Sequence, residues 1–261
     1  MYEIPGLGPA TDAWWQGLAR HFRATGIADV PEAPTRPDDL YAHWTDPALL
    51  FSQACGYPLT HALAGKCQLV ATPCYAASGC AGPTYRSLLI VAENAPLRTL
   101  EDLRGRTVCY NGEDSQSGYN ILRATFAPLA RDGRFFGRAV CSGAHIDSIA
   151  MVARAEADIA SIDCVTHALL ARHAPERLAG TRILAETASA PGLPYITSAM
   201  TGAETLARLR AGLSAALADP ALAAARAALL IAGAEVLPLG AYGTIPSMQG
   251  AAVASGYPVL A

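Results

Sequence analysis

The stretch NGEDSQSGYNILRATFAPLA, residues 111–130, sets Ser115, Gln116, Ser117 and Gly118 at the mouth of an amphipathic helical pattern, directly after an apolar strand. The first amides of a helix have no partner inside it, and the helix dipole leaves about half a positive charge there. Hydroxyls at such a cap, with a glycine that lets an oxygen approach the backbone, suit a small oxyanion. The same residues also make an ordinary serine N-cap, worth about 1 kcal/mol. Glu113 and Asp114 lie close by; they oppose an anion, although either can accept a proton from one.

A second stretch, CSGAHIDSIAMV (141–152), repeats the layout: an apolar strand, a turn of small residues, and a helix starting near His145. That position is the carboxyl end of a strand, where open α/β sheets hold their ligands. An imidazole there can donate to an oxyanion or move a proton, and a purely structural histidine is the plain alternative. In a third stretch, ADIASIDCVTHALL (157–170), Asp163 ends a strand and either caps the next helix or faces a ligand. Tyr85 and Arg86, in GPTYRS, open a long apolar strand. Tyrosine suits the wall of a partly apolar pocket, and arginine offers a bidentate contact to an oxyanion. Tyr57, in CGYPLTHAL, offers a second wall, with Thr60 as a helix cap.

Other chemistry is excluded by what the chain lacks. There is no G-x-S-x-G nucleophile elbow, no Walker phosphate loop and no G-x-G-x-x-G after a strand. No cysteine pair has C-x-x-C spacing and no Cys/His cluster has zinc spacing, so neither a metal nor a cofactor is expected. Seven cysteines leave at least one unpaired. Cys74 and Cys80 are spaced to close a small loop in an oxidising compartment, and the others mostly read as small buried hydrophobes. A net charge of −3 without a run of either sign gives no support to nucleic-acid or anionic-membrane binding. No apolar run approaches the roughly 18 residues that span a bilayer. The first residues show neither a basic nor an apolar leader segment, so the expected compartment is periplasmic if a signal peptide has been removed and cytoplasmic otherwise.

The elements that must position these residues alternate between the two periods of apolar patterning. Helices are expected over 11–26, 39–44, 117–130, 145–157, 164–174, 203–218 and 220–234, with Thr11 or Asp12 capping the first and Gly26 ending it. Strands are expected over 48–54, 67–75, 85–93, 106–111, 135–143, 158–163, 182–187 and 194–200, and the tail to Ala261 reads as loose. Alternation on this scale means an α/β fold with largely parallel strands. So few residues precede the first helix that the opening strand is expected to be missing or shortened.

Several stretches in order resemble the phosphate- and phosphonate-binding receptors of ABC transporters, in the type II periplasmic-binding-protein superfamily. They are GPTYRSLLIV (82–91), LEDLRGRTVCYNGEDSQSGYNILRA (100–124), SGAHIDSIAMVARAEADIASID (142–163) and APGLPYIT (190–197), so the likeness covers about residues 40–200. The resemblance implies a two-lobed α/β fold with a two-strand hinge and a central ligand cleft, lobe one being 1–88 plus 196–261 and lobe two 89–195. It also implies a small-oxyanion ligand and an ABC permease as partner. Carried over by position, Ser115, Gln116, Ser117 and His145 would hold the oxyanion, and Tyr85 would form a wall. Gln116 replaces a hydroxyl residue of the family pattern. Leu193 and Val165 stand where aminophosphonate receptors have acids, which points away from a zwitterionic aminophosphonate. The loop FSQACGYPL differs from the family's, which touches Gln53, Cys55 and Tyr57. The alternative expectation is a cytoplasmic enzyme on the same scaffold, acting on a small organic acid or pyrimidine precursor with His145 or Asp163 as general acid or base.

Overall fold

The computed structural model describes residue 2 and residues 4–261. Helix α1 (Gly8–Ala24) comes first, then α2 (Leu40–Trp44), β1 (Ser52–Gln53), α3 (Gly56–Thr60) and the long strand β2 (Cys67–Tyr75). The chain continues through β3 (Thr84–Tyr85), β4 (Ser87–Ala92), β5 (Thr107–Tyr110), α4 (Ile121–Phe126), β6 (Arg138–Cys141), α5 (His145–Ala153), β7 (Ile159–Asp163) and α6 (Cys164–His173). It ends with β8 (Thr181–Glu186), β9 (Ala190–Pro191), β10 (Tyr195–Ser198), α7 (Ala203–Ala218), α8 (Ala223–Ala228), β11 (Ile231–Glu235) and α9 (Thr244–Ala254).

The chain divides into two compact units. Unit one holds the chain up to Ala76, Ala81–Pro83 and Pro191–Leu239; unit two holds Ala77–Cys80, Thr84–Ala190 and Gly240–Ala261. The C-terminal segment therefore belongs to unit two, not to the first lobe as expected. The reason is apolar burial: Ala252, Tyr257 and Leu260 sit in one core with Leu89, Leu122, Phe126, Phe135 and Phe136. The carbonyl of Ala261 also accepts from the amides of Phe135 and Phe136.

Unit one carries a sheet in the order β1-β10-β2-β11, and all three pairings are antiparallel. Unit two carries a five-stranded sheet in the order β6-β5-β7-β4-β8. Here β5 pairs in parallel with β6 and β7, whereas β4 runs antiparallel to β7 and β8. Strand β8 therefore runs the same way as β7, so β6, β5, β7 and β8 all point in one direction and only β4 opposes them. The expectation of largely parallel strands holds for this sheet by direction, whereas every pairing in the sheet of unit one is antiparallel.

Several local expectations also change. Helix α1 starts at Gly8 with Pro9 in its first turn, and no side chain of Thr11 or Asp12 caps it. Gly26, at φ +89°, follows its end as expected. The strand expected over 48–54 contracts to Ser52–Gln53. Thr60 closes α3 instead of capping a helix start, its hydroxyl donating to the carbonyls of Gly56 and Tyr57. The helix expected over 220–234 stops at Ala228. Leu230 then takes a left-handed φ of +57° and β11 begins, pairing with β2. The supposedly loose tail contains α9. No helix among the described residues is long and apolar enough to cross a membrane.

Tyr257 is fully buried, so Tyr257→Ala should cost about 3–5 kcal/mol by opening a cavity in the core of unit two. Chemical denaturation followed by far-UV dichroism reads this. A loss below about 1 kcal/mol would mean that the C-terminal segment is not part of that core.

Candidate functional site

Three neighbouring parallel strands of unit two end in the residues singled out by the sequence. Strand β5 ends at Tyr110 and leads to the Ser115–Gly118 mouth, β6 ends at Cys141 and leads to His145, and β7 ends in Asp163 itself. Parallel strands side by side bring their carboxyl ends to one edge, so the three turns converge. Ser117 Oγ lies 2.9 Å from His145 Nε2, and Asp163 Oδ2 lies 3.5 Å from the same nitrogen.

The mouth itself is a short π-helical turn, Gln116–Asn120, running on into α4. Ser115 is its N-cap: its side-chain oxygen accepts from the Gly118 amide at 3.0 Å. Of the two serines, Ser115 takes the capping role and Ser117 meets the imidazole. The backbone of Ser117 is fixed from below, because its carbonyl accepts from Ser87 Oγ at 3.0 Å and from Ser161 Oγ at 2.6 Å. Gly118 is required by a neighbour: a Cβ there would come 1.8 Å from Asn111 Oδ1. An oxygen does approach this backbone, and it belongs to Asn111.

The Gln116 side chain is engaged by its own helix and by the C-terminal segment. Its Oε1 accepts from Asn120 Nδ2 at 2.6 Å and its Nε2 donates to Met248 Sδ at 3.4 Å. Asn120 in turn donates to the carbonyl of Ile245 and accepts from Arg123, whose guanidinium also reaches the carbonyl of Pro258. This brace joins the mouth to the C-terminal segment. Sequence reasoning missed it, because nothing local marks a contact between residues more than a hundred positions apart.

Asp163 has two tasks. Its Oδ1 accepts from the Thr166 amide at 2.8 Å, which makes it the N-cap of α6, while Oδ2 faces His145. Tyr85 is buried in the same unit. Arg86 is about half exposed, lies 3.7 Å from Glu186 and donates to the carbonyl of Thr187 at 3.5 Å. Tyr57 belongs to unit one, where its ring stacks on His61 at 3.9 Å. Gln53, also in unit one, donates to Tyr75 Oη and to the carbonyl of Leu193, each at 3.0 Å. Leu193 and Val165 are both buried and apolar. Unit one further contains a cavity of about 440 Å³ walled by Trp14, Trp15, Phe51, Tyr75 and Tyr195. Its lining includes Asp29 and Asp46, and among the described residues His43 is its one basic side chain.

Among the described residues no group of His, Cys, Asp and Glu is arranged to hold a metal ion. The cysteine expectation is corrected as well. Cys80 Sγ lies 3.5 Å from Cys164 Sγ, and Cys74 Sγ approaches Glu235 Oε1 at 3.8 Å.

The electrostatics follow from burial. The His145 side chain is 13% exposed. Burial pushes its pKa below the ordinary 6.5, and the Asp163 carboxylate, with the Ser161 backbone, only partly opposes this. Neutral imidazole is therefore the resting form at neutral pH. The contact with serine and aspartate is not a hydrolase triad. In a triad the carboxylate holds Nδ1 so that Nε2 can take the serine proton, whereas here both oxygens meet Nε2. A group whose folded pKa is depressed contributes stability above its unfolded value, and that contribution is lost as pH falls below 6.5 toward the folded pKa. Titration of the His145 ring signals by NMR should give a midpoint below 6.5 in the ligand-free protein; a midpoint at or above 6.5 would overturn this account.

Comparison with known proteins then places the chain. Residues 48–236 match the family described as ABC transporter, phosphonate, periplasmic substrate-binding protein. No curated protein sequence matches. Among solved structures, the binding-protein component of a phosphonate ABC transporter from Pseudomonas aeruginosa superposes with a TM-score of 0.74 at 18% identity, covering 93% of this chain and 82% of that one. PhnD1 from Prochlorococcus marinus, solved in complex with methylphosphonate, gives 0.74 at 12% identity, covering 92% and 90%. A Xanthomonas citri protein solved with ATP gives 0.72 at 17% identity, covering 97% and 95%. The fold is accordingly the two-lobed α/β periplasmic-binding-protein fold expected from the sequence. The match over most of its length shows that this chain belongs to the periplasmic substrate-binding proteins of phosphonate ABC transporters, a family of binding proteins and not of enzymes.

Proposed function

We propose that this protein delivers a small phosphorus oxyanion, such as phosphate, phosphite or a simple phosphonate, to an ABC permease, and that it works in the periplasm. The observation that carries the ligand reading is the meeting of Ser117 Oγ and His145 Nε2, 2.9 Å apart, at the head of a helix. The Ser117 hydroxyl and the His145 imidazole both offer a donor there. Donors of this kind in a poorly solvated position bind an anion more strongly than the same groups in water.

Asp163 shapes the choice of anion. Its carboxylate stands 3.5 Å from His145 Nε2 and repels a fully deprotonated ligand. An oxyanion that keeps a proton near neutral pH can donate to a carboxylate; sulfate cannot. The site should therefore prefer phosphorus oxyanions to sulfate. The apolar Leu193 and Val165 give no carboxylate for a ligand amine, so aminoethylphosphonate should bind more weakly than methylphosphonate.

The test is thermal unfolding of the purified protein against phosphate, phosphite, methylphosphonate, aminoethylphosphonate and sulfate. At a concentration about 100 times the dissociation constant, a true ligand stabilises by about 2.7 kcal/mol, a plain shift in Tm. Ser117→Ala and His145→Ala should each abolish that shift with methylphosphonate or phosphate. Equal shifts in both variants and the parent would rule out this site. A shift with sulfate as large as with phosphate would overturn the role given to Asp163.

A further inference from the structure

Unit two contains a second reactive arrangement that oxyanion binding does not use. Cys80 lies in the turn after Ala77, where its amide donates to the Ala77 carbonyl at 3.0 Å. Cys164 is the first residue of α6, and its amide donates to the carbonyl of Arg86 at 3.0 Å. The two sulfurs are 3.5 Å apart. Gly79 is what lets the turn come so near. Its φ is +92°, and a Cβ there would stand 3.0 Å from Cys164 Cβ and 3.2 Å from its sulfur. Backbone anchors on both sides thus hold two thiols almost in bonding range, within one unit.

We propose that Cys80 and Cys164 are a disulfide-forming pair, closed by exchange with a small-molecule or protein disulfide, and that the bond straps the turn at residues 77–80 to the head of α6, beside Asp163. The two thiols are not equivalent. The hydrogen bond from Cys164 holds the Cys80 thiol below its ordinary value, against burial and the Asp163 carboxylate. The same bond, with burial, pushes Cys164 up. Cys80 is also partly exposed, whereas Cys164 is buried. Cys80 is therefore the thiolate that attacks.

The exchange balances in two steps. Cys80 Sγ⁻ attacks one sulfur of the incoming disulfide, and that S–S bond breaks to release the other half as a thiolate. Cys164 then loses its proton to solvent and attacks Cys80 Sγ, expelling the second thiolate. Two protein thiols are oxidised by two electrons and one external disulfide is reduced to two thiols. No other pair is drawn in: Cys109 is sealed in the core with its thiol pushed up to about 12, and Cys67 is raised to about 11, both by burial.

The test uses the whole chain equilibrated with oxidised glutathione or with dithiothreitol. Remaining thiols are then blocked with N-ethylmaleimide in denaturant and mapped by mass spectrometry without reduction. Oxidation should remove two of the seven thiols and yield one crosslinked peptide joining Cys80 to Cys164. Since the bond closes a long loop, the oxidised protein should melt roughly 5–15 °C higher than the reduced one. Cys80→Ser, a change at a partly exposed position, should abolish both effects. Seven reactive thiols after oxidation, a bond between Cys80 and Cys74, or a lasting glutathione adduct on Cys80 would each overturn the proposal. The comparison of oxidised with reduced parent protein needs no variant, and none of these outcomes depends on which anion binds.

Discussion

The buried carboxylate of Asp163 is the constraint around which unit two is arranged. A charge that is 3% exposed is costly unless polar groups answer it. Here the answer comes from the Thr166 amide, the positive end of α6 and the imidazole of His145. The backbone cannot drift, because β7 is paired on both sides, in parallel with β5 and antiparallel with β4. The imidazole therefore has a fixed point to lean on, and Ser117 meets it from the other strand end. Burial still outweighs the carboxylate's attraction, so His145 rests neutral. Its Nε2 can donate or accept.

The same logic explains polar residues that look misplaced in the sequence. Ser87 opens the apolar strand SLLIVA, and Ser161 interrupts the run IASID, yet both are almost fully buried. An unsatisfied hydroxyl in such a position costs about 1–3 kcal/mol. Both donate to the carbonyl of Ser117, so the sheet spends two buried hydroxyls on holding one peptide at the helix mouth. The mouth is thus pinned by the sheet beneath it, which is the kind of preorganisation a binding site needs.

How much of this was legible depended on the range of the interaction. Strand β2 and helix α7 have the bounds their patterning predicts, because apolar periodicity and local propensity agree there. The convergence of Ser117, His145 and Asp163 was legible for a related reason: it follows from the order of elements, each residue lying at or just after the end of one of three neighbouring parallel strands. Strand β11 was not legible, since its alanine-rich sequence continues a helical composition and only the turn at Leu230 breaks it. The antiparallel pairings and the partner of Cys80 are set by contacts between distant segments, which no local pattern carries. The placing of α9 and Tyr257 in the core of unit two belongs to the same class.

Gln116 shows how a distant segment can set what a site reads. The family resemblance of the sequence implies a hydroxyl at this place. Here the side chain turns to Asn120 and Met248, and Asn120 is tied to Ile245. Rotating Gln116 toward His145 would leave the amide of Asn120, fully buried, with one partner fewer, at a cost comparable to a lost buried hydrogen bond. At the proposed site, recognition then falls to Ser117, His145 and Asp163. These groups address oxygens and protons on the ligand, and none addresses a substituent on phosphorus. At that proposed site, such a donor set would distinguish a phosphorus oxyanion from sulfate by its proton and would leave the members of the phosphorus class to be told apart by shape.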